Sequence, residues 1–182
     1  MGSVTSLVEA KVLYRNAIGV DINPQSVSIS ETNLQFQCET KSKIHTRCAN
    51  ATDLSFIKDS HIDFICTHPP YANIIKYSKN VDGDISLLTV EEFLKEMTVV
   101  AQEAYRVLRK GKACAVMIGD MRRYGKVVPL GFWVMECFLS VGFVSKEIII
   151  KEQHNCRSTD YWEKQNNNFL LLAHEYIFVF QK

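Results

Sequence analysis

Short apolar runs alternate with amphipathic stretches along this chain, which predicts strands interleaved with helices. The apolar runs predict strands at 17–21, 44–47, 62–67, 113–118, 144–151 and 170–180. Apolar positions spaced three and four residues apart predict helices at 5–13, 24–33, 90–108 and 130–141. Local signals mark several boundaries: Pro24 suits a first helical turn, Thr89 with Glu92 predicts a capping box, and Gly111 predicts a helix end.

This order of elements predicts an α/β fold with a mostly parallel, Rossmann-like sheet and helices on both faces. No helical pattern separates the last two strands, so we expect an antiparallel C-terminal pair at one edge of the sheet. The whole chain, residues 1–182, is interpreted as a single domain. Ligands bind beyond the carboxyl ends of strands in such sheets, which makes candidates of the polar residues there: Asp21, Asp53, His68 and Asp120.

Composition excludes several classes of protein. A net charge of +1 is too small to attract the chain as a whole to a polyanion. Binding of a nucleic acid would therefore require a local basic patch. No apolar run is long enough to span a bilayer and no signal peptide is visible, so we expect a cytoplasmic protein with no membrane partner. The six cysteines form no C-x-x-C pair, and Cys66, Cys114 and Cys137 are expected to be reduced core residues. We therefore predict no metal site.

The loop His68-Pro69-Pro70-Tyr71 carries the strongest chemical signal in the chain. Two successive prolines cannot continue a central strand or a helix, so the preceding strand must end in a rigid, extended turn. The turn presents an aromatic ring at its tip, with a polar side chain and backbone carbonyls before it. A flat, amino-bearing base requires such a stacking face and such acceptors. The alternative is an ordinary loop that ends a strand.

That loop resembles the catalytic loop of the S-adenosylmethionine-dependent amino-methyltransferases of DNA, which act on N4 of cytosine or N6 of adenine. The family sequence reads S-P-P-Y, D-P-P-Y or N-P-P-Y. The resemblance implies that His68, Pro69, Pro70 and Tyr71 are catalytic, with His68 and the Pro69 carbonyl accepting hydrogen bonds from the target amino group and Tyr71 stacking on the flipped base. His68 departs from the family sequence. A neutral imidazole has one acceptor nitrogen and a protonated one has none, so activity is expected to fall on acidification.

The N-terminal third of the chain resembles the cofactor region of the same family, and the implied cofactor is S-adenosyl-L-methionine. Residues 2–10 resemble the loop and helix G-S-G-T-T-L-V-E-A, residues 19–24 the second-strand signature, and residues 50–54 the segment that contacts adenine. The implied cofactor-binding residues are Gly2, Ser3, Thr5, Asp21, Ile22, Asp53 and Leu54. Asp21 is expected to accept the ribose hydroxyls, although it also suits a cap for the helix at 24–33. Asp53 is expected to accept the adenine amino group, with an Asx turn as the alternative.

Two departures from the family concern the start of the chain. Val4 occupies the position of a family glycine, and a β-branched side chain is expected to hinder that backbone shape. The family also has an apolar strand before this loop. We therefore interpret the sequence as N-terminally truncated, and we expect an upstream segment or a partner chain to cover this part of the sheet.

Further basic and aromatic residues resemble family segments that would meet DNA. Residues 119–123 resemble G-D-x-R-R, and the polar segment 153–162 is long for a loop without structure of its own. The candidate nucleic-acid-binding residues are Arg122, Arg123, Arg157 and Trp162. Residues 169–175 resemble the family strand N-F-L-L-L-A-H-E-Y, where His174 and Glu175 are unusual for a buried run and are expected to face an edge or to pair with each other.

The resemblance implies methyl transfer to an exocyclic amino group of a DNA base. An RNA base is the alternative substrate within the same chemistry. A non-catalytic domain that binds nucleic acid or a partner is the alternative from a different class, because of Val4 and the missing strand.

Overall fold

The computed structural model describes residues 4–74, 78, 81–153 and 169–182. The helices and strands follow in the order α1 (Thr5–Val12), β1 (Ala17–Asp21), α2 (Pro24–Asn33), β2 (Ile44–Cys48), β3 (Ile62–Thr67), α3 (Val90–Val107), β4 (Leu108–Ile118), β5 (Met121–Arg123), β6 (Lys126–Val128), α4 (Leu130–Ser140), β7 (Val144–Glu152) and β8 (His174–Gln181). Short 3-10 helices lie at Ala72–Ile74 and Ile85–Leu87. The described residues divide into two compact units, one within Met1–Leu54 and Ser78–Asp84, the other within Ser55–Tyr77 and Ile85–Lys182.

The first unit is built on the parallel pair β1 and β2, which runs from Ala17 beside Ile44 to Asp21 beside Cys48. The helix α2 begins as the sequence predicts, because the Asn23 side chain accepts the N–H of Gln25 and a proline occupies the first turn. The predicted bounds of β1 and α2 are confirmed.

The second unit contains a four-stranded sheet in the order β3-β4-β8-β7. The strand β3 is parallel to β4, whereas β8 lies between β4 and β7 and is antiparallel to both. The α/β class and the antiparallel C-terminal pair are confirmed, and the sheet is mixed. Within the described ranges β3 pairs on one side only, and Phe64 on that strand is 59% exposed. The predicted burial of Cys66 is wrong, because Cys66 shares the exposed face of β3 with Phe64.

The core of the second unit lies between the helices α3 and α4 and the strands β4 and β8. The capping box of Thr89 and Glu92 opens α3 as predicted, and Phe93 and Met97 bury its apolar face. Phe180 on β8 is fully buried and stacks on the ring of Phe138, with ring centroids 5.0 Å apart. This packing fixes β8 against the helices and so determines where its polar residues lie.

Two predicted boundaries are wrong in the second unit. The helix α3 ends at Val107, and Leu108 already pairs with Ile62 in the sheet. Gly111 ends no helix, because its N–H donates to the carbonyl of Lys182 at 2.8 Å and so belongs to the pairing of β4 with the C-terminus. The strand β8 begins only at His174, four residues later than predicted. No helix in the described ranges is long and apolar enough to cross a membrane.

Candidate active site

The proline loop leaves the end of β3 and is anchored through Tyr71. The Tyr71 hydroxyl donates a hydrogen bond to Oε1 of Glu175 at 2.5 Å and accepts the N–H of Gly119 at 3.0 Å. Pro69 is buried, whereas His68 exposes 43% of its side chain. The loop is therefore held by a residue of β8 and by the backbone that follows β4, and its histidine is left accessible.

The close approach of Tyr71 leaves little room at Gly119. A Cβ at Gly119 would lie 3.3 Å from the Tyr71 hydroxyl oxygen, 3.3 Å from the His174 carbonyl oxygen and 3.4 Å from Cγ of Glu175. A side chain here would therefore require these neighbours to shift by a few tenths of an ångström in a closely packed interior.

Glu175 is a buried carboxylate that joins three elements of the second unit. It is 6% exposed, and its Oε2 accepts a hydrogen bond from Nζ of Lys151 on β7 at 2.6 Å. Its Oε1 accepts the Tyr71 hydroxyl and lies 3.4 Å from Nε2 of His68. Burial opposes ionisation, but the hydrogen bonds from Lys151 and Tyr71 outweigh it, so the pKa of Glu175 lies below its ordinary value of 4.5. Glu175 is therefore an anion at neutral pH.

The expected pairing of His174 with Glu175 is wrong. The strand β8 lies between β4 and β7, but its pairing with β4 ends at Tyr176, so His174 and Glu175 pair with β7 alone. Nε2 of His174 lies 3.1 Å from the Tyr176 hydroxyl, while Glu175 contacts Lys151 and Tyr71. Successive residues of a strand point to opposite faces, which separates the two side chains.

The surroundings of His68 lower its pKa and so favour its neutral form. Desolvation by burial, with a smaller contribution from the positive charge of Lys151, lowers the pKa of His68 below its ordinary value of 6.5, and Glu175 opposes this only in part. The His68 ring meets the Tyr71 ring edge to face, with centroids 5.9 Å apart. A neutral imidazole has one acceptor nitrogen, and the two side chains that the sequence predicts as acceptor and stacking face lie next to each other.

Asp120 has a structural role after β4. Its Oδ1 accepts the N–H of Gly131 in the first turn of α4 at 3.0 Å, and its Oδ2 accepts the Tyr176 hydroxyl at 3.2 Å. A carboxylate at a helix N-terminus satisfies backbone donors that the helix itself cannot pair. Asp120 therefore positions α4.

The candidate Arg122 is engaged within the protein. Its guanidinium stacks over the ring of Phe169 at 4.2 Å and donates to the carbonyls of Gly125 and Leu170 at 3.0 and 2.9 Å. These contacts tie the β5–β6 hairpin to the segment before β8. They favour a structural role for Arg122 over contact with phosphate.

The tip of this hairpin presents a basic and aromatic surface beside the proline loop. Arg123 donates to the Asn73 side chain at 2.5 Å, just after the loop. Tyr124 and Gly125 form the turn with φ of +50° and +75°, the positive pair typical of a tight two-residue hairpin turn. Tyr124 is 96% exposed, and Arg123 and Lys126 pair across the hairpin on either side of it.

In the first unit, Val4 adopts the backbone of the glycine that it replaces. Its φ of 70° and ψ of 13° lie in the left-handed region, where a β-branched residue is strained. Its carbonyl accepts the N–H groups of Leu7 and Val8, which starts α1 beside the candidate Thr5. The hindrance expected from a β-branched side chain at this position stays a prediction.

The residues after β1 form a tight turn that carries the candidate carboxylate of Asp21. Oδ1 of Asp21 accepts the N–H of Asn23 at 2.9 Å, which places a carboxylate at the end of the strand. Gly83 packs so closely here that a Cβ would lie 2.9 Å from the Asn50 side chain and 3.2 Å from that of Ile22. A carboxylate accepts hydrogen bonds from ribose hydroxyls, so Asp21 is chemically compatible with the ribose of S-adenosylmethionine.

The second candidate segment of the first unit is an Asx turn. The side-chain oxygen of Asn50 accepts a hydrogen bond from the N–H of Thr52 at 3.1 Å. The backbone carbonyl of Asn50 accepts one from the N–H of Asp53 at 3.0 Å. Asp53 is exposed and Leu54 is partly buried. The alternative turn interpretation is confirmed, and the turn leaves the Asp53 carboxylate accessible to a ligand.

Some candidates lie outside the described residues: Gly2, Ser3, Arg157 and Trp162. Within the ranges that the structure describes, no group of three or more His, Cys, Asp or Glu side chains is arranged to hold a metal ion.

Comparison with known proteins identifies the family. The sequence profile of the N6/N4 methyltransferases, described as DNA methylases, matches residues 62–182, which is more than half of the chain. The chain belongs to the DNA methylase family. The matched range includes the proline loop, the β5–β6 hairpin and the strand that carries Glu175. No curated protein sequence matches the chain.

Solved structures share the fold at low identity. A protein from Thermus thermophilus described as a DNA modification methylase, solved with S-adenosyl-L-methionine, is 24% identical, with a TM-score of 0.55 over 74% of this chain and 53% of that one. A SAM-dependent methyltransferase from Methanosarcina mazei is 16% identical, with a TM-score of 0.63 over 100% of this chain and 88% of that one. The cytosine-N4-specific PvuII DNA methyltransferase is 16% identical, with a TM-score of 0.58 over 73% and 47%. The predicted methyltransferase fold is confirmed, and this chain spans about half the length of the Thermus and PvuII enzymes.

Two functional candidates escaped the sequence analysis. Lys151 lies on an exposed strand and belongs to no motif, and Tyr124 occupies a positive-φ position of a hairpin turn, where a tyrosine is not a typical turn residue. One signal was available for Lys151: a carboxylate within an apolar strand is rarely buried without a cation beside it. The sequence marks Glu175 as unusual, but it does not reveal the partners of this residue, because they lie far away along the chain.

Proposed function

We propose that this chain transfers a methyl group to an exocyclic amino group of a DNA base, either N4 of cytosine or N6 of adenine. The observation that carries the proposal is the proline loop, with Tyr71 anchored to Glu175 and Gly119 and His68 accessible and neutral beside it. When bound, S-adenosylmethionine supplies an electrophilic methyl group. The protein contributes mainly position: Tyr71 stacks on the base, and His68 and the Pro69 carbonyl accept the amino hydrogens.

Product analysis tests this function. The purified chain is incubated with methyl-labelled S-adenosylmethionine and either duplex DNA or RNA, and the nucleic acid is then digested to nucleosides for mass spectrometry. The proposal requires N4-methylcytosine or N6-methyladenine from DNA. Label in RNA alone would support the alternative substrate, and label in neither, with cofactor bound, would contradict the proposal.

The cofactor residues are tested by calorimetric titration. We expect S-adenosylmethionine to bind the chain in the micromolar range, and Asp21→Asn to weaken binding about 10- to 100-fold, because a charge-assisted hydrogen bond contributes about 1.5–3 kcal/mol. Glu39→Gln removes an exposed carboxylate elsewhere in the same unit and is the matched control. Equal affinity of Asp21→Asn and wild type would remove the ribose role from Asp21.

We further propose that the hairpin tip contacts DNA. Tyr124 offers a fully exposed ring between two basic residues, next to the loop that would hold the flipped base. A ring in such a position can stack on a base or fill the gap that the flipped base leaves. Of the two described arginine candidates, Arg123 is the one that lies beside the proline loop, so Arg123 remains a proposed DNA contact and Arg122 supports the hairpin.

Tyr124→Ala is expected to weaken binding of a duplex oligonucleotide about 5- to 100-fold, as stacking of a base on an aromatic side chain contributes about 1–3 kcal/mol. Fluorescence anisotropy with a labelled duplex measures this affinity. Tyr14→Ala is the matched control, because Tyr14 is also exposed (68%) and also has a positive φ, of 58°. Similar affinities for the two variants would contradict a role of the hairpin tip.

A further inference from the structure

Stabilisation of the fold does not by itself explain why the Glu175 carboxylate is buried. Glu175, the second residue of β8, is only 6% exposed, and it lies on the opposite face of the strand from the buried Phe178 and Phe180. Desolvating a charge is costly, and a buried ion pair is often no more stable than apolar residues of the same volume. Stabilisation of the sheet is therefore a poor explanation for the ion pair of Glu175 with Lys151.

The contacts of Glu175 converge on the catalytic loop. Its Oε1 holds the Tyr71 hydroxyl and lies 3.4 Å from Nε2 of His68, while its Oε2 is occupied by Lys151. An ionised carboxylate can only accept hydrogen bonds, so the His68 nitrogen that faces it must carry the proton. In a neutral imidazole the other nitrogen, Nδ1, is then the acceptor. A distance of 3.4 Å is long for this contact, as is common before a substrate closes a site.

We propose that Glu175 is a positioning residue that holds His68 as the Nε2–H tautomer, so that Nδ1 accepts the proton released by the methylated amino group. This role rests on the proposed methyl transfer. There the amino nitrogen bonds the methyl carbon as the carbon–sulfur bond breaks, and the positively charged nitrogen then gives one proton to Nδ1. The resulting imidazolium faces Glu175, which stabilises it as the third member of a catalytic triad stabilises its histidine.

Lys151 completes the arrangement. Its ammonium keeps Glu175 ionised and also disfavours a second positive charge on His68. Among the residues that the structure describes, the charged groups that face His68 are Glu175 from β8 and Lys151 from β7, beside the uncharged Tyr71 of its own loop. The acid limb of activity is the fall of kcat at low pH. Removal of the Lys151 charge and removal of the Glu175 charge are expected to move this limb in opposite directions.

The tautomer is read directly by NMR. Long-range proton–nitrogen spectra of the ¹⁵N-labelled chain report which ring nitrogen of each histidine carries the proton, and His68→Asn assigns the His68 signals. We expect the Nε2–H tautomer in wild type. In Glu175→Gln we expect a mixture of tautomers and kcat lowered at least tenfold.

The acid limb gives a second readout, which remains available if Glu175→Gln does not fold. Lys151→Met is expected to shift the acid limb of kcat to higher pH, because the His68 imidazolium loses a repelling neighbour, and Glu175→Gln is expected to shift it to lower pH. Lys146→Met, on the exposed part of β7, is the matched control and is expected to leave the limb in place.

The outcomes separate the two proposals. The Nδ1–H tautomer in wild type, or an unchanged tautomer and an unchanged acid limb in both variants, would overturn the positioning role. An absence of methyl transfer by wild type, with the Nε2–H tautomer present and lost in Glu175→Gln, would reject the methyltransferase function and the proton transfer while upholding the positioning of His68 by Glu175.

Discussion

His68→Ala is expected to lower kcat for methyl transfer by about 10²- to 10⁴-fold, the range typical of a lost acid–base group. Alanine removes the acceptor for the amino hydrogens and the base for the released proton, while Tyr71 keeps its anchors on Glu175 and Gly119. KM for DNA is expected to change much less, because stacking on Tyr71 is retained. Steady-state kinetics at pH 7.5 with labelled cofactor measures both constants.

The pH dependence distinguishes an acceptor from a merely structural histidine. The pKa of His68 lies below 6.5 because burial disfavours its charged form, so wild-type kcat is expected to hold near neutral pH and to fall only as the pH drops further below 6.5. His68→Asn is the control: its amide oxygen accepts a hydrogen bond but does not titrate. We expect partial activity without this acid limb. An identical acid limb in wild type and His68→Asn would exclude His68 as its source.

Tyr71→Ala is expected to lower kcat/KM about 10²- to 10³-fold, because the variant loses base stacking of about 1–3 kcal/mol and also the anchor that holds the loop. Two buried groups, the Glu175 carboxylate and the Gly119 N–H, would each lose a partner. Competition between DNA substrates under single-turnover conditions measures this loss.

Tyr71→Phe separates the ring from the hydroxyl. The ring is retained for stacking, whereas the lost hydrogen bonds are expected to lower the free energy of unfolding by about 1–3 kcal/mol, the cost of unsatisfied buried groups. We therefore expect urea unfolding to detect the lower stability of Tyr71→Phe, and kinetics to detect the lower activity of Tyr71→Ala. Full activity of Tyr71→Ala would favour a methyltransferase for small molecules over one that acts on a base.

Local sequence signals predicted those parts of the fold that depend on neighbouring residues. Asn23 with Pro24 and Thr89 with Glu92 place the starts of α2 and α3, because a cap involves only residues within one helical turn. The prediction for the end of α3 was wrong because this boundary depends on a residue that is distant in sequence. Gly111 is a good helix stop by itself, yet pairing of Leu108 with Ile62 makes this stretch a strand.

By itself, the sequence predicted the family through its motifs, and it determined the rigid turn at residues 68–71, because two successive prolines restrict the backbone locally. Only the tertiary structure decided what the loop is bound to. Insertion of β8 between β4 and β7 brings Glu175 to Tyr71, His68 and Lys151, and Lys151 lies 24 residues before Glu175 and Tyr71 104 residues before it. A contact between such distant positions depends on strand order and register, and neither is encoded in the hydrophobic period of a single strand.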